Sequence, residues 1–229
     1  MYPVAEPELS ASLPQGWAFW TPKPSEIDEE GFGNFREGFD LRGTPAKTAR
    51  SYLAAHLGVF DFINARAHSF EEFDDLASFF EDVPFDDDGY LQDADDETSE
   101  FISSNDCDLG LLELGVGAVA YALSAAKMFP AASCRSHSNT RSWSPYPVIY
   151  LAASRPRALL LEKLMTESGC GFVHDPARSD LMVVAAPSLP QILSLAKEIV
   201  ENLSLFRGLT SRNNAPKKPA SPNWQSQLF

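Results

Sequence analysis

Cysteine is scarce in this chain of 229 residues, which contains only Cys107, Cys134 and Cys170. An odd and sparse set of this kind is unlike the paired cysteines that hold small secreted proteins together. The sequence also has no apolar run of the roughly 18–20 residues needed to cross a bilayer, and its first residues lack the basic and apolar segments of a signal peptide. These absences predict a cytoplasmic protein that does not contact a membrane.

Positive charge is missing from the middle of the chain. No lysine or arginine occurs between Arg66 and Lys127, although this stretch carries 17 of the 32 acidic residues. The net charge of −14 makes nucleic acid an unfavourable partner for the whole chain. Residues 127–212 are mildly basic, so the acidic residues within 71–100 are expected either to bind a basic protein partner or to cover the basic region of the same chain.

Composition divides the chain into five segments. In order, these are an extended arm rich in aromatic residues (1–43), two short amphipathic helices (44–81), an acidic linker (82–106), an α/β core domain (107–208) and a disordered tail (209–229). The rings of the arm are expected to lie on a partner surface, either within this chain or outside it.

Helix start and stop signals define the two amphipathic helices. Thr44 followed by Pro45 is typical of an N-cap and a first helical residue, and Gly58 is a suitable terminator. Ser69 with Glu72 fits a capping box at the start of the second helix.

Hydrophobic periodicity in the core domain predicts the element order α-β-β-α-β-β-α. The helices are expected at 114–127, 155–167 and 189–205, and the strands at 130–134, 148–153, 171–173 and 181–185. This order suggests two copies of an α-β-β unit and a closing helix. We therefore expect an α+β fold in which a mixed sheet carries helices on one face.

Candidate chemistry is concentrated after the first predicted strand. Cys134 is followed by Arg135 and His137, whose positive charge would lower the thiol pKa and activate it as a nucleophile. One hypothesis is a non-catalytic interaction or ligand-binding protein that uses the loop 134–147. The alternative is a small nucleotide- or RNA-acting enzyme in which Cys134 and His137 perform the chemistry. A third interpretation makes Cys134 a core residue without a chemical role.

Arginine residues surround the same loop and indicate an anionic ligand. Guanidinium groups bind phosphate or carboxylate through two parallel hydrogen bonds, although a solvated basic rim would have the same composition. No cofactor is predicted. The predicted ligand-binding set is Arg135, Ser136, Asn139, Arg141, Arg155 and Arg157.

This segment resembles two known patterns. Gly115-Val116, Ser133-Cys134, His137 and Pro147-Val148 resemble uncharacterised bacterial proteins that have a Ser-Cys-x-Gly-His stretch between a Gly-Val-rich helix and a Pro-x-Val strand. More distantly, Ser133-Cys134 is similar to the Ser-Cys-Ser-Gly-Arg motif of the tRNA wybutosine-synthesising methyltransferases, with Ser136 in place of glycine and His137 in place of arginine. The first resemblance implies no known function, and the second would imply RNA modification.

Two segments of the sequence resemble metal sites, but neither site is predicted. The run Asp86–Gly89 suggests a calcium loop, but its first ligand would then be Pro84, which has no carboxylate. An extended segment from residue 170 to residue 174 would separate its ends by roughly 13 Å, too far to share one ion unless a turn intervenes. This distance argues against a zinc site made of Cys134, His137, Cys170 and His174.

The run Gly115–Ala120 resembles a dinucleotide-binding fingerprint, provided that Leu109–Leu114 forms a strand. The residues that follow are too few for a doubly wound fold. Small residues that let a buried helix approach its sheet closely are the competing explanation.

Overall fold

The structure is a computed structural model that describes residues 4–14, 16–17, 19–23, 43–82, 94–139 and 142–209. These residues form seven α-helices and one four-stranded sheet, which confirms the predicted α+β class. The helices are α1 (Ala46–Arg66), α2 (Phe70–Glu81), α3 (Asp96–Ser104), α4 (Val116–Ala125), α5 (Arg155–Ser168), α6 (Leu189–Glu201) and α7 (Leu203–Gly208). The strands are β1 (Phe129–Cys134), β2 (Val148–Ala152), β3 (Gly171–Val173) and β4 (Met182–Ala185).

The sheet has the strand order β1-β2-β4-β3 and is antiparallel throughout rather than mixed. Its elements follow the predicted order, with α4-β1-β2 and α5-β3-β4 as the two α-β-β units. β3, which the chain reaches through α5, runs in the same direction as β2 but does not pair with it. β4 lies between them and pairs with both strands, so the crossover helix produces no parallel pair.

The helices cover one face of the sheet. Ile149, Leu151 and Val184 point into a core shared with α1, α4, α5 and α6. Every residue of α4 is buried, because α1 and α6 pack on it and the sheet lies beneath it. α4 has only 10 residues, and none of the helices in the described ranges is both long and apolar enough to span a membrane.

The described part of the N-terminal arm packs within the chain. Trp20 is buried against the other face of the sheet, and its Nε1 donates to the Asp180 carbonyl at 2.6 Å. Ser10 forms an antiparallel bridge with Phe172, so the arm lines the β3 edge. Trp17 places its ring edge-on to Phe172 at 5.3 Å. Phe19 packs against the main core, and the other aromatic residues of the arm, Phe32, Phe35 and Phe39, lie outside the described residues.

The first helix differs from the prediction at both ends. α1 begins at Ala46 with Pro45 as its N-cap, and the Thr44 Oγ1 donates to Ser124 Oγ at 2.9 Å instead of capping the helix. The predicted end at Gly58 is wrong, because α1 continues for two more turns and buries Val59, Phe60 and Ile63. Burial of these side chains outweighs the cost of about 1 kcal/mol for glycine inside a helix.

The second helix begins as predicted, but the acidic linker contains a helix that was not predicted. The Ser69 side chain accepts from the Glu72 amide at the start of α2. α3 lies within the predicted linker, capped by Asp95, which accepts from the Thr98 amide at 2.8 Å. Its Phe101 stacks on Phe62 of α1 at 4.1 Å. Residues 83–93, including the calcium-loop candidate, and the predicted tail beyond Leu209 lie outside the described residues.

Candidate functional site

A polar cluster lies where β1 ends, between α2 and the turn that precedes α4. Cys134 is the last residue of β1, and Ser136 has a left-handed backbone with φ of 72°. This conformation is strained for a residue other than glycine. It turns the chain so that the side chain of His137 faces α2 and Glu113.

Asp74 of α2 accepts five hydrogen bonds from this loop. Its Oδ1 lies 2.6 Å from Arg135 Nη1 and 3.1 Å from His137 Nδ1. Its Oδ2 accepts from the Ser138 amide at 2.9 Å, the Ser138 hydroxyl at 2.8 Å and Asn139 Nδ2 at 3.4 Å. Burial opposes ionisation, but Arg135 and the Ser138 donors outweigh it and lower the pKa of Asp74. Asp74 is therefore a buried carboxylate that fixes the loop.

The guanidinium of Arg135 is fully buried and bound by two carboxylates from α2. Its Nε donates to Glu81 Oε1 at 2.6 Å, and its Nη1 lies 2.6 Å from Asp74 Oδ1. Burial opposes the charge of Arg135, but these two carboxylates raise its pKa. The prediction that Arg135 binds an external anion is therefore wrong, because its binding groups are occupied within the chain.

The other predicted arginines do not complete a clamp. Arg157 is buried at the start of α5, where it donates to the Ala126 and Leu209 carbonyls at 3.0 and 3.2 Å. Arg155 is exposed, and Arg141 lies outside the described residues. Among the described residues, the guanidinium groups of Arg135 and Arg157 thus serve separate internal contacts instead of converging on one ligand.

Cys134 is fully buried, and its sulfur lies in a polar environment. Sγ accepts from the Ser136 amide at 3.4 Å and lies 4.0 Å from Ser142 Oγ. The Ser142 hydroxyl in turn accepts from the His137 amide at 3.1 Å. Cys134 and His137 are therefore close together, as the enzyme hypothesis requires, but the thiol has no surface at which a substrate could meet it.

His137 lies between two carboxylates. Its Nδ1 is 3.1 Å from Asp74 Oδ1, and its Nε2 is 3.2 Å from Glu113 Oε1. Because carboxylates only accept hydrogen bonds, both ring nitrogens carry a proton when they make these two contacts. Burial lowers the pKa of His137, but hydrogen bonds to Cys134 and Glu113 outweigh it and raise the pKa to about 10.

Glu113, Cys134 and His137 form a group that fits a metal ion. Each offers one ligand atom, and these three atoms lie within 4.8 Å of one another. Two ligands at about 2.0–2.1 Å from a tetrahedral ion lie about 3.3 Å apart. The 3.2 Å between His137 Nε2 and Glu113 Oε1 therefore suits a shared ion as well as it suits a hydrogen bond.

The zinc site considered from the sequence is not formed. Cys170 is buried beside α6, where its Sγ donates to the Gln191 carbonyl at 3.3 Å, and burial raises its pKa to about 12. Within the described ranges, neither Cys170 nor His174 joins the group around Cys134. Of the three residues in this group, Cys134 and His137 are predicted from the sequence as catalytic residues and not as metal ligands, and Glu113 is not predicted as a site residue.

Two side chains from neighbouring helices hold the turn that carries Glu113. Glu81 accepts from the Leu114 amide at 2.7 Å, and His56 Nδ1 of α1 accepts from the Gly115 amide at 3.1 Å. Residues 109–114 form a turn instead of a strand, which removes the basis for the dinucleotide interpretation. Gly117 serves packing, because a Cβ there would lie 2.8 Å from Cε1 of His56.

The sequence contains a signal for the missed acidic residues. Asp74 and Glu81 are seven positions apart on the apolar side of α2, together with the buried Phe73, Ala77 and Phe80. Buried carboxylates need a partner, so acidic residues on an apolar face predict an internal cation. Glu113 gives a similar signal, because it stands between leucines at positions 112 and 114.

Comparison with known proteins gives no match to a family model, a curated protein or a solved structure. The resemblance to bacterial proteins with a Ser-Cys-x-Gly-His stretch stays a prediction. The left-handed backbone of Ser136 occurs at the position where that pattern has glycine.

Proposed function

We propose that this protein binds a divalent transition-metal ion, with Zn²⁺ preferred, through Glu113, Cys134 and His137. The proposal retains ligand binding by the loop 134–147 but makes the ligand a cation instead of an anion. The observation that carries it is the convergence of one carboxylate oxygen, one thiol sulfur and one imidazole nitrogen within 4.8 Å. Zn²⁺ accepts all three donor types in tetrahedral sites.

Each proposed ligand is oriented by a second group, as is usual around bound metals. Asp74 holds the Nδ1 side of His137, which directs Nε2 toward Glu113. The Arg135 amide donates to Glu113 Oε2 at 2.7 Å and leaves Oε1 to face the ring. The Ser136 amide donates to the sulfur of Cys134. These contacts arrange the three donors before an ion arrives.

The charge of the cluster also favours a cation. Arg135 is already balanced by Asp74 and Glu81, which both lie within hydrogen-bond distance of its guanidinium. Glu113 and a Cys134 thiolate then add two negative charges that a divalent ion neutralises. A phosphate would instead face these groups without an arginine to receive it.

The hypothesis of a basic protein partner is compatible with this site but has fewer acidic groups to use. Within 71–100, Asp74 and Glu81 are buried and contact Arg135 of the same chain. This part of the acidic stretch therefore acts in cis. The proposed cytoplasmic location suits a thiolate ligand, because a reducing compartment keeps the three free cysteines reduced.

Metal binding is tested by titrating the chelator-treated full chain with Zn²⁺ in a calorimeter, and with Co²⁺ while recording its absorption spectrum. We expect one ion per chain and a sulfur-to-cobalt charge-transfer band. Cys134→Ser and His137→Gln should remove this binding, whereas Cys170→Ser, a matched change at another buried cysteine, should not.

Circular dichroism of each variant verifies that it is folded. The proposal is overturned if the wild-type chain binds no ion, or if folded Cys134→Ser binds Zn²⁺ and Co²⁺ as the wild type does.

A further inference from the structure

We infer that the bound metal keeps one coordination position open to solvent and activates a water molecule there to hydrolyse a neutral ester or amide. This inference rests on the proposed metal site and assigns it a chemical role. It depends on three features of the cluster: the number of protein ligands, the direction from which solvent arrives, and the local charge.

The described residues supply three ligands to the ion and no fourth. The metal-binding group consists of Glu113, Cys134 and His137 alone. Asp74 contacts Nδ1 of His137, on the far side of the ring from Nε2. Ser142 Oγ is engaged with the His137 amide and the Ser144 carbonyl. Zinc sites with four protein ligands are structural, whereas those with three hold water in the fourth position and are catalytic.

Exposure of the ligands increases in one direction. Cys134 has no exposed surface, the His137 side chain is 10% exposed and the Glu113 side chain is 22% exposed. The sulfur therefore forms the floor of the site, and solvent reaches the ion from the side of Glu113. An incoming carbonyl would approach from the same side.

The local charge selects neutral substrates. A divalent ion with Glu113 and a Cys134 thiolate has no net charge. Beyond it, the guanidinium of Arg135 is held by Asp74 and Glu81 and does not face a substrate. A phosphate ester would therefore gain no charge pairing with Arg135, whereas an uncharged carbonyl compound needs none.

An exposed aromatic surface lies next to the site in sequence. Trp143 follows Ser142, whose hydroxyl lies 4.0 Å from the Cys134 sulfur. The Trp143 side chain is 48% exposed, and its ring lies 5.7 Å from that of Tyr150. Such a ring favours an apolar or aromatic group in the substrate.

The proposed step uses water alone as co-reactant. Zn²⁺ held by Glu113, Cys134 and His137 would lower the pKa of a bound water to about 7, so that a proton would leave to solvent and hydroxide would remain. Hydroxide attacks the carbonyl carbon and forms a new C–O bond. The bond to the leaving group then breaks and gives a carboxylate and an alcohol or amine.

The test compares 4-nitrophenyl acetate with 4-nitrophenyl phosphate as probes for the Zn²⁺-loaded full chain. We expect the Zn²⁺-loaded chain to hydrolyse 4-nitrophenyl acetate at least about tenfold faster than the chelator-treated chain does. The rate should increase as the pH rises through about 7. The rate of 4-nitrophenyl phosphate hydrolysis should stay at the level measured without protein. Trp143→Ala should raise KM for the acetate ester without changing Zn²⁺ affinity, and Cys170→Ser should change neither.

Two further readouts distinguish this inference from its alternatives. Acetohydroxamate, which binds open metal positions, should change the visible spectrum of the Co²⁺-substituted chain. Stoichiometric Zn²⁺ binding without faster acetate hydrolysis, or with an unchanged Co²⁺ spectrum, overturns the inference and leaves the metal site intact. Accumulation of acetylated Cys134 in mass spectra also overturns it, because thiol chemistry would then explain the rate. If no Zn²⁺ binds, both proposals fail together.

Discussion

Two histidines in this protein, one fully buried and the other partly exposed, have opposite surroundings. His56 lies in the helical layer, where its Nδ1 accepts from the Gly115 amide and its Nε2 finds no hydrogen-bond partner among the described residues. Burial lowers its pKa to about 3. His137 lies at the end of β1 between Asp74 and Glu113, and its pKa is raised to about 10.

The difference shows that hydrogen-bond acceptors and burial together decide the charge of an enclosed histidine. Burial disfavours the charged form in both places. At His137 hydrogen bonds to Cys134 and Glu113 compensate for it, whereas at His56 the contact with the Leu109 backbone compensates for little of it. The helical layer therefore holds a neutral ring that serves packing, and the end of the sheet holds a protonated ring between two acidic side chains.

The largest loss of stability is expected when the cation that organises the carboxylates around His137 is removed. Arg135→Met would leave Asp74 and Glu81 buried without their charge partner, and we expect a loss of about 3–5 kcal/mol in the free energy of unfolding. Denaturant unfolding measures this loss. Arg155→Met, at an exposed arginine, should change stability by less than about 0.5 kcal/mol. A loss below about 1 kcal/mol for Arg135→Met would show that the buried network is not needed.

Zinc should stabilise the folded chain through His137 and not through His56. At a free concentration 100 times its dissociation constant, Zn²⁺ should stabilise the folded chain by about 2.7 kcal/mol. The shift should persist in His56→Gln and disappear in His137→Gln. Thermal unfolding with and without Zn²⁺ measures it, and an equal shift in both variants would place the ion elsewhere.

A lower pH should destabilise the folded chain through His56. Its pKa is about 3 in the folded chain and about 6.5 in the unfolded chain, so below pH 6.5 the unfolded chain binds a proton that the folded chain does not. Stability should therefore fall by about 1.6 kcal/mol from pH 6.5 to pH 5, with a slope that approaches about 1.4 kcal/mol per pH unit at the lower end. Urea unfolding across this range measures the slope, and His56→Gln should flatten it. An equal slope in that variant would assign the acid sensitivity to other groups.

A change in the packing around His56 is expected to have the smallest effect on stability. In Gly117→Ala the new Cβ would lie 2.8 Å from both Cε1 of His56 and Cβ of Leu112. Overpacking costs about 1–3 kcal/mol, and better helix propensity returns about 1 kcal/mol. We expect a net loss of about 1 kcal/mol by denaturant unfolding, within a range of about 0–2 kcal/mol. Gly58→Ala, at a helical glycine with open space around it, should instead stabilise the chain.

Much of the fold could be predicted, because it depends on local periodicity. Apolar runs predict the strands β2 and β4, and an amphipathic pattern predicts α6. The antiparallel sheet could not be predicted, since the position of β4 between β2 and β3 depends on contacts between distant segments. α1 passes through Gly58 because tertiary burial overrides a local stop signal.

The site was predictable only in its β1 part. Cys134 and His137 are only three positions apart in the sequence, whereas Glu113 and Asp74 come from other elements and reach them through the tertiary fold. The arginine prediction failed for the same reason. Sequence places Arg135 beside the loop, but two carboxylates on α2, more than fifty residues earlier, decide what its guanidinium binds.

The edges of the sheet have a consequence for self-association. Unpaired edge strands can recruit a strand from another molecule and start aggregation. Here one edge is bridged by Ser10 of the arm, and the other, β1, contains Pro130 and a register shift between Pro130 and Ala132. Proline removes a donor, and the irregularity interrupts the ladder. The chain thus protects both ends of its sheet against growth, and loss of the arm would reopen only the end at β3.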